Sequence, residues 1–135
     1  MKTTGEVLLA ECTKVGTMKF DVRDLKRLPA HFYRSKSGRE PVREWIKSLD
    51  VEDRKIVGED IKDVEFSWPI GMPLVRSLGR ELWEVRSRLS QGRIARVLFC
   101  VEHQQMILLH GFIKKTQKTP QGEIDLALKR KREPA

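Results

Sequence analysis

The sequence predicts an α+β fold in which one strand, two helices, a three-stranded antiparallel meander and a short closing helix follow in that order, the helices packed on one face of the sheet. Two observations carry most of this. Val42, Trp45, Ile46 and Leu49 recur at i, i+3, i+4 and i+7 behind Pro41, a spacing that lines them up on one helical face. Three extended apolar segments, 81–89, 93–102 and 105–113, are separated only by SQG and HQ, gaps of hairpin size.

Each element has its own reason. The aromatic run HFYR at 31–34 leads into SKSG and reads as an edge strand entering a turn. After the first helix, Asp50 is a natural N-cap for a second, whose stripe is Ile56, Val57, Ile61 and Val64. WPIGMP at 68–73 breaks it, because Pro69 and Pro73 lack backbone donors. Near the end, Thr119 then Pro120 reads as N-cap and first helical residue. Glu123 falls early and Lys129 to Arg132 late, as the helix dipole favours.

With 135 residues the chain fits one domain. Residues 18–135 are expected to form it, and residues 1–17, which show no periodicity, are expected to be a disordered or non-native extension. Cys12 and Cys100 have no metal or redox spacing and are expected to be reduced in a cytoplasmic protein. No apolar run approaches the roughly 18 residues of a membrane span, so no membrane partner is expected. The net charge of +8 points to polyanions, nucleic acid first. That charge is uneven: residues 50–65 hold seven acidic and three basic residues, residues 76–96 six basic and two acidic.

Alternation in 81–89 sets Trp83, Val85, Ser87 and Leu89 on one face and Leu82, Glu84, Arg86 and Arg88 on the other. Arg96 lies among Ile94, Ala95, Val97 and Leu98, where a guanidinium is costly unless an anion or a carboxylate compensates it. A structural pairing with Glu84 and a phosphate site are both open readings. Lys114 and Lys115 end the last strand, with Thr116, Lys118 and Thr119 beyond. His31, His103 and His110 show no metal spacing, and His110 on an apolar strand reads as a packed core residue. No P-loop, dinucleotide fingerprint or nucleophile elbow is present.

The runs ELWEVRSR, RIARVLF and ILLHGFIKKTQKTPQGEIDLA closely resemble the phage-derived, HigB-like branch of the RelE/ParE toxin superfamily, over about residues 31–132. The resemblance implies a RelE-like fold and the toxin of a type II toxin–antitoxin pair. It also implies a ribosome-dependent mRNA endoribonuclease that uses no metal or other cofactor, with the RNA 2′-hydroxyl attacking the adjacent phosphate. Carried over, Arg96 binds the scissile phosphate, Arg86 stabilises the developing oxyanion, and Lys114 or Lys115 protonates the leaving oxygen. Arg93, Thr116 and Lys118 become RNA contacts, and Glu84 a weak base or a partner of Arg96. The final helix lacks the tyrosine of better-known relatives, which leaves His110 or Phe112 as a stacking substitute and the general base open. The implied partners are the ribosome, mRNA and a HigA-like helix-turn-helix antitoxin, with DNA reached only through the antitoxin complex. The same superfamily includes ParE-like inhibitors that bind a topoisomerase without catalysis. That reading, and a nonenzymatic RNA-binding phage protein, are the alternatives.

Overall fold

A computed structural model describes residues 25–133. The expectations for residues 1–17, for the domain boundary at 18 and for Cys12 lie outside the described residues. The elements are β1 (Ala30–Phe32), α1 (Pro41–Ser48), α2 (Val51–Ser67), β2 (Val75–Gly79), β3 (Leu82–Arg88), β4 (Ile94–Glu102), β5 (Gln105–Lys114) and α3 (Gln121–Arg132). They form an α+β structure on a five-stranded sheet of order β1-β5-β4-β3-β2, antiparallel from β2 to β5, with β1 parallel to β5 at one edge.

The meander thus has four strands, not three. β2 escaped the sequence reading because it follows two prolines and reaches β3 through Arg80 and Glu81, neither a usual turn residue. Both adopt positive φ, 55° and 59°. His103 and Gln104 turn β4 into β5 in the same way, with φ of 52° and 62°. L-residues resist this backbone region, so Gln104→Gly is expected to stabilise the protein by about 1 kcal/mol in urea denaturation.

The helices occupy both faces rather than one. α1 and α2 bury Val42, Val57, Ile61 and Val64 against Val75, Val85, Val97, Phe99 and Leu108. α3 covers the opposite face, where Ala127 and Leu128 pack on Leu82, Leu98, Cys100 and Leu109. β4 is consequently buried on both sides from Ile94 to Cys100, which explains its nearly unbroken apolar run. Burial also pushes the Cys100 thiol up to about 11, leaving a poor nucleophile.

Two local details position the site. Asp50 caps α2 by accepting from the Asp53 amide at 3.0 Å, as its sequence position suggests. Thr119, by contrast, does not cap α3. The helix begins at Gln121 with Pro120 at the cap position and no side-chain cap, and the Thr119 hydroxyl turns instead to Glu84. A buried carboxylate takes a neutral donor away from a solvated helix end because leaving that carboxylate short of partners costs more.

β5 carries a bulge. Leu98 pairs with His110 and Phe99 with Leu108, so Leu109 is the extra residue. Met106 and Leu108 lie in the α1/α2 core, whereas Leu109 and Phe112 lie in the α3 core. Plain alternation from Met106 would send His110, Phe112 and Lys114 toward α1 and α2. The bulge shifts the phase and delivers all three to the α3 face.

Candidate functional site

On the α3 face the registers lay out three rows. Arg88 stands opposite Ile94 and Ile94 opposite Lys114; Arg86 opposite Arg96 and Arg96 opposite Phe112; Arg76 opposite Glu84, Glu84 opposite Leu98 and Leu98 opposite His110. Successive same-face residues on a strand and neighbours across strands lie only a few ångströms apart. Cations from four strands thus converge at the end of this face that the apolar stripe of α3 leaves free.

Glu84 is the hub. Its fully buried carboxylate accepts from Arg86 Nη1 at 2.8 Å and from the Thr119 hydroxyl at 2.6 Å, and lies 3.9 Å from Arg96 Nε. Arg96 is also fully buried, and the carboxylate does not satisfy it. Its guanidinium donates to the Thr116 carbonyl, to the Gln117 carbonyl at 3.1 Å and to the Lys114 carbonyl at 3.5 Å, while Nε has no hydrogen-bond partner among the described residues. Burial, then the adjacent Arg86 charge, lowers the Arg96 pKa against the opposing pull of Glu84. Arg86 reaches the Gln117 carbonyl and side-chain oxygen, both at 3.4 Å. Through these carbonyls the two strand arginines hold the 115–119 loop across their guanidinium groups.

The structure therefore sorts the sequence-derived candidates. Arg86, Arg96, Glu84 and Lys114 meet on one face. Arg96 is enclosed and, in this conformation, offers no open edge to a phosphate, which departs from the role implied by the resemblance. Lys115, Thr116 and Lys118 are exposed on the loop that the arginines hold. Arg93 is not brought to the site at all. It donates to both oxygens of Asp53 on α2, at 2.8 and 3.1 Å, on the other side of the sheet. A residue beside a turn has no fixed strand phase, and an acidic first helical turn lay within its reach. These hydrogen bonds, opposed by burial, hold the Asp53 carboxyl below its usual range. Its stabilising contribution is present above the ordinary aspartate value near 4 and is lost as pH falls through the depressed folded value. Arg93→Gln is expected to remove that part of the acid-side slope in a series of thermal melts at falling pH.

The sequence assigns no site role to Arg76 or Glu123, and to His110 only base stacking. Arg76 arrives on the unanticipated β2, whose Val75, Arg76, Ser77 and Leu78 show no apolar alternation that would have flagged a strand. His110 is not a bland core residue, because its Nε2 lies 2.6 Å from Glu123 Oε1 while Glu123 Oε2 lies 3.2 Å from Lys114 Nζ. Burial tends to raise the Glu123 pKa, but the hydrogen bonds from His110 and Lys114 outweigh it and the net shift is downward. The His110 ring stacks on Phe112, centroids 5.5 Å apart, and the Arg96 guanidinium carbon and Lys114 Nζ each lie 5.9 Å from the Phe112 centroid. Among the described residues no group of His, Cys, Asp and Glu is arranged to hold a metal ion, and no helix is long and apolar enough to cross a membrane.

Residues 44–132, about two thirds of the chain, match the family described as Phage derived protein Gp49-like (DUF891). The chain belongs to that family. The matched stretch runs from α1 through α3 and contains every site residue named above; β1 lies outside it. The family is linked to RelE-type toxins of toxin–antitoxin systems. No curated protein matches the chain.

Proposed function

We propose that this protein is the HigB-like toxin of a type II toxin–antitoxin pair and cleaves mRNA on the ribosome without a metal. The observation that carries this reading is the register that sets Arg86 beside Arg96, with the lysine-bearing loop after β5 fastened over both. A transition state that builds charge on a phosphate is stabilised by preorganised cations, and this cluster is preorganised by buried hydrogen bonds rather than by mobile side chains. Lys114, Lys115 and Lys118 are accessible cations, suited to the RNA backbone and to the leaving oxygen. Arg86 lies just beneath them, and Arg96 acts first by holding the loop that presents them. Most of the rate then comes from electrostatics and from alignment of the RNA by the ribosome.

The test is induction in cells followed by mapping of transcript ends. Cuts are expected within codons of translated messages and should vanish when the start codon is removed. Lys115→Ala with Lys118→Ala, two exposed changes that leave the fold intact, is expected to lower cleavage about 100-fold. Intact transcripts accompanied by DNA breaks would overturn the nuclease and favour topoisomerase binding. Under the same reading, a HigA-like antitoxin covers the basic surface, is steered there by charge, and links the complex to its promoter DNA. Its affinity should fall with salt and with Lys115→Glu plus Lys118→Glu; unchanged affinity would place the antitoxin elsewhere.

A further inference from the structure

A 2′-hydroxyl must lose a proton to attack, and neither arginine nor lysine accepts one readily near neutral pH. We propose that His110 is the general base of this site, acting through Nδ1, and that Glu123 is its positioning residue. The inference rests on the nuclease reading above and adds the group which that reading leaves without a name.

The geometry selects the nitrogen. Glu123 is ionised, held so by His110 and Lys114, and a carboxylate can only accept, so the 2.6 Å contact makes Nε2 the protonated nitrogen. In the neutral imidazole the lone pair is then on Nδ1, which no described residue hydrogen-bonds. Stacking on Phe112 restrains the ring, and the side chain keeps 15% of its surface exposed. This is the arrangement in which a carboxylate sets the tautomer and supports the charge that arrives on the imidazole. The charged groups around it are Glu123 and Arg130 from α3, Lys114 on its own strand, and Arg96 from β4 beyond Phe112; Arg130 donates to the neighbouring Leu109 carbonyl at 2.8 Å. Of these groups only Glu123 is negatively charged.

The step balances without a further reactant. Nδ1 takes the 2′-hydroxyl proton as the 2′ oxygen bonds to phosphorus. The bond from phosphorus to the 5′ oxygen breaks with its electron pair on that oxygen, which takes a proton from the Lys115 ammonium. The products are a 2′,3′-cyclic phosphate and a free 5′-hydroxyl. Water returns a proton to Lys115 and removes one from His110 before the next turnover.

Single-turnover cleavage of ribosome-bound mRNA, followed from about pH 5.5 to 8.5 across the range in which histidine changes charge, tests this. The wild-type rate is expected to rise tenfold per pH unit and then level off. His110→Gln is expected to lower the plateau about 100-fold and to flatten the profile. Glu123→Gln keeps the size of the side chain but withdraws the negative charge, and should move the midpoint of the rise to lower pH. Should His110→Gln melt before the assay temperature, the Glu123→Gln midpoint decides alone. A wild-type profile retained by the folded His110→Gln protein, or an unmoved midpoint in Glu123→Gln, overturns the base assignment and leaves the nuclease standing. Absence of cleavage by the wild-type protein overturns the nuclease itself, and this assignment with it.

Discussion

Glu84→Ala is expected to destabilise the protein by about 3 to 5 kcal/mol, the usual consequence of removing one member of a buried ion pair. The carboxylate is fully buried and is the only acidic group within reach of Arg86 and Arg96 among the described residues. Without it, two like-charged guanidinium groups on neighbouring strands face each other in a medium of low polarity, and the Thr119 hydroxyl loses its acceptor. Against a total stability on the order of 5 to 15 kcal/mol this is a large fraction, equivalent to a fall in melting temperature of roughly 15 °C or more. Glu84→Gln separates the causes, since the amide oxygen still accepts from Thr119 but carries no charge. A glutamine variant nearly as unstable as alanine assigns the effect to charge compensation. Urea denaturation of the two variants measures it, and a loss under about 1 kcal/mol in Glu84→Ala would mean that the loop carbonyls alone suffice for the arginines. Because Thr119 and Gln117 belong to the same network, hydrogen exchange in the 115–119 loop should accelerate in Glu84→Ala more than in the helices.

The second large effect lies on the opposite face. A Cβ added at Gly111 would sit 2.5 Å from Trp45 Cε3 and 2.6 Å from Cζ3, well inside van der Waals contact. The indole belongs to α1 and packs against the core that buries Val42, so relieving the clash displaces the ring or the helix from that packing. Gly111→Ala is therefore expected to cost about 3 kcal/mol, at the upper end for overpacking. Trp45→Leu in the same chain should recover part of the loss, because the smaller side chain vacates the space that the methyl needs. A Gly111→Ala protein as stable as wild type would show that α1 and the indole yield at this contact at little cost. The site is coupled to this contact, since Gly111 lies between His110 and Phe112 and any shift of β5 there displaces both.

Much of the frame was legible along the chain. Both helices of the α1/α2 pair follow from apolar spacing, Pro41 and the Asp50 cap, all local properties. β3, β4 and β5 follow from alternation and short gaps. The signals for β2 are weak, since Arg80 and Glu81 are not usual turn residues and only Gly79 beside them is, and the short apolar stripe of α3 does not say which face it covers. At the site, the residue types were visible but their circumstances were not. Arg96 was recognisable as an expensive residue on an apolar strand, yet whether a phosphate, Glu84 or the backbone meets its charge depends on where the 115–119 loop crosses. Arg93 and Arg86 are both arginines of the same basic stretch, and only packing sends one to Asp53 and the other to Glu84.

By itself the sequence determined the α+β class, the helix pair, the strand segments of β3 to β5 and the concentration of positive charge in their half of the chain, because each depends on residues near one another in the chain. Tertiary structure alone decided that Arg96 is enclosed, that Arg93 lies on the far face, and that His110 meets Glu123. A single extra residue at Leu109 reverses the facing of everything after it, and the need to satisfy buried charge chooses partners by distance in space, without regard to separation in sequence.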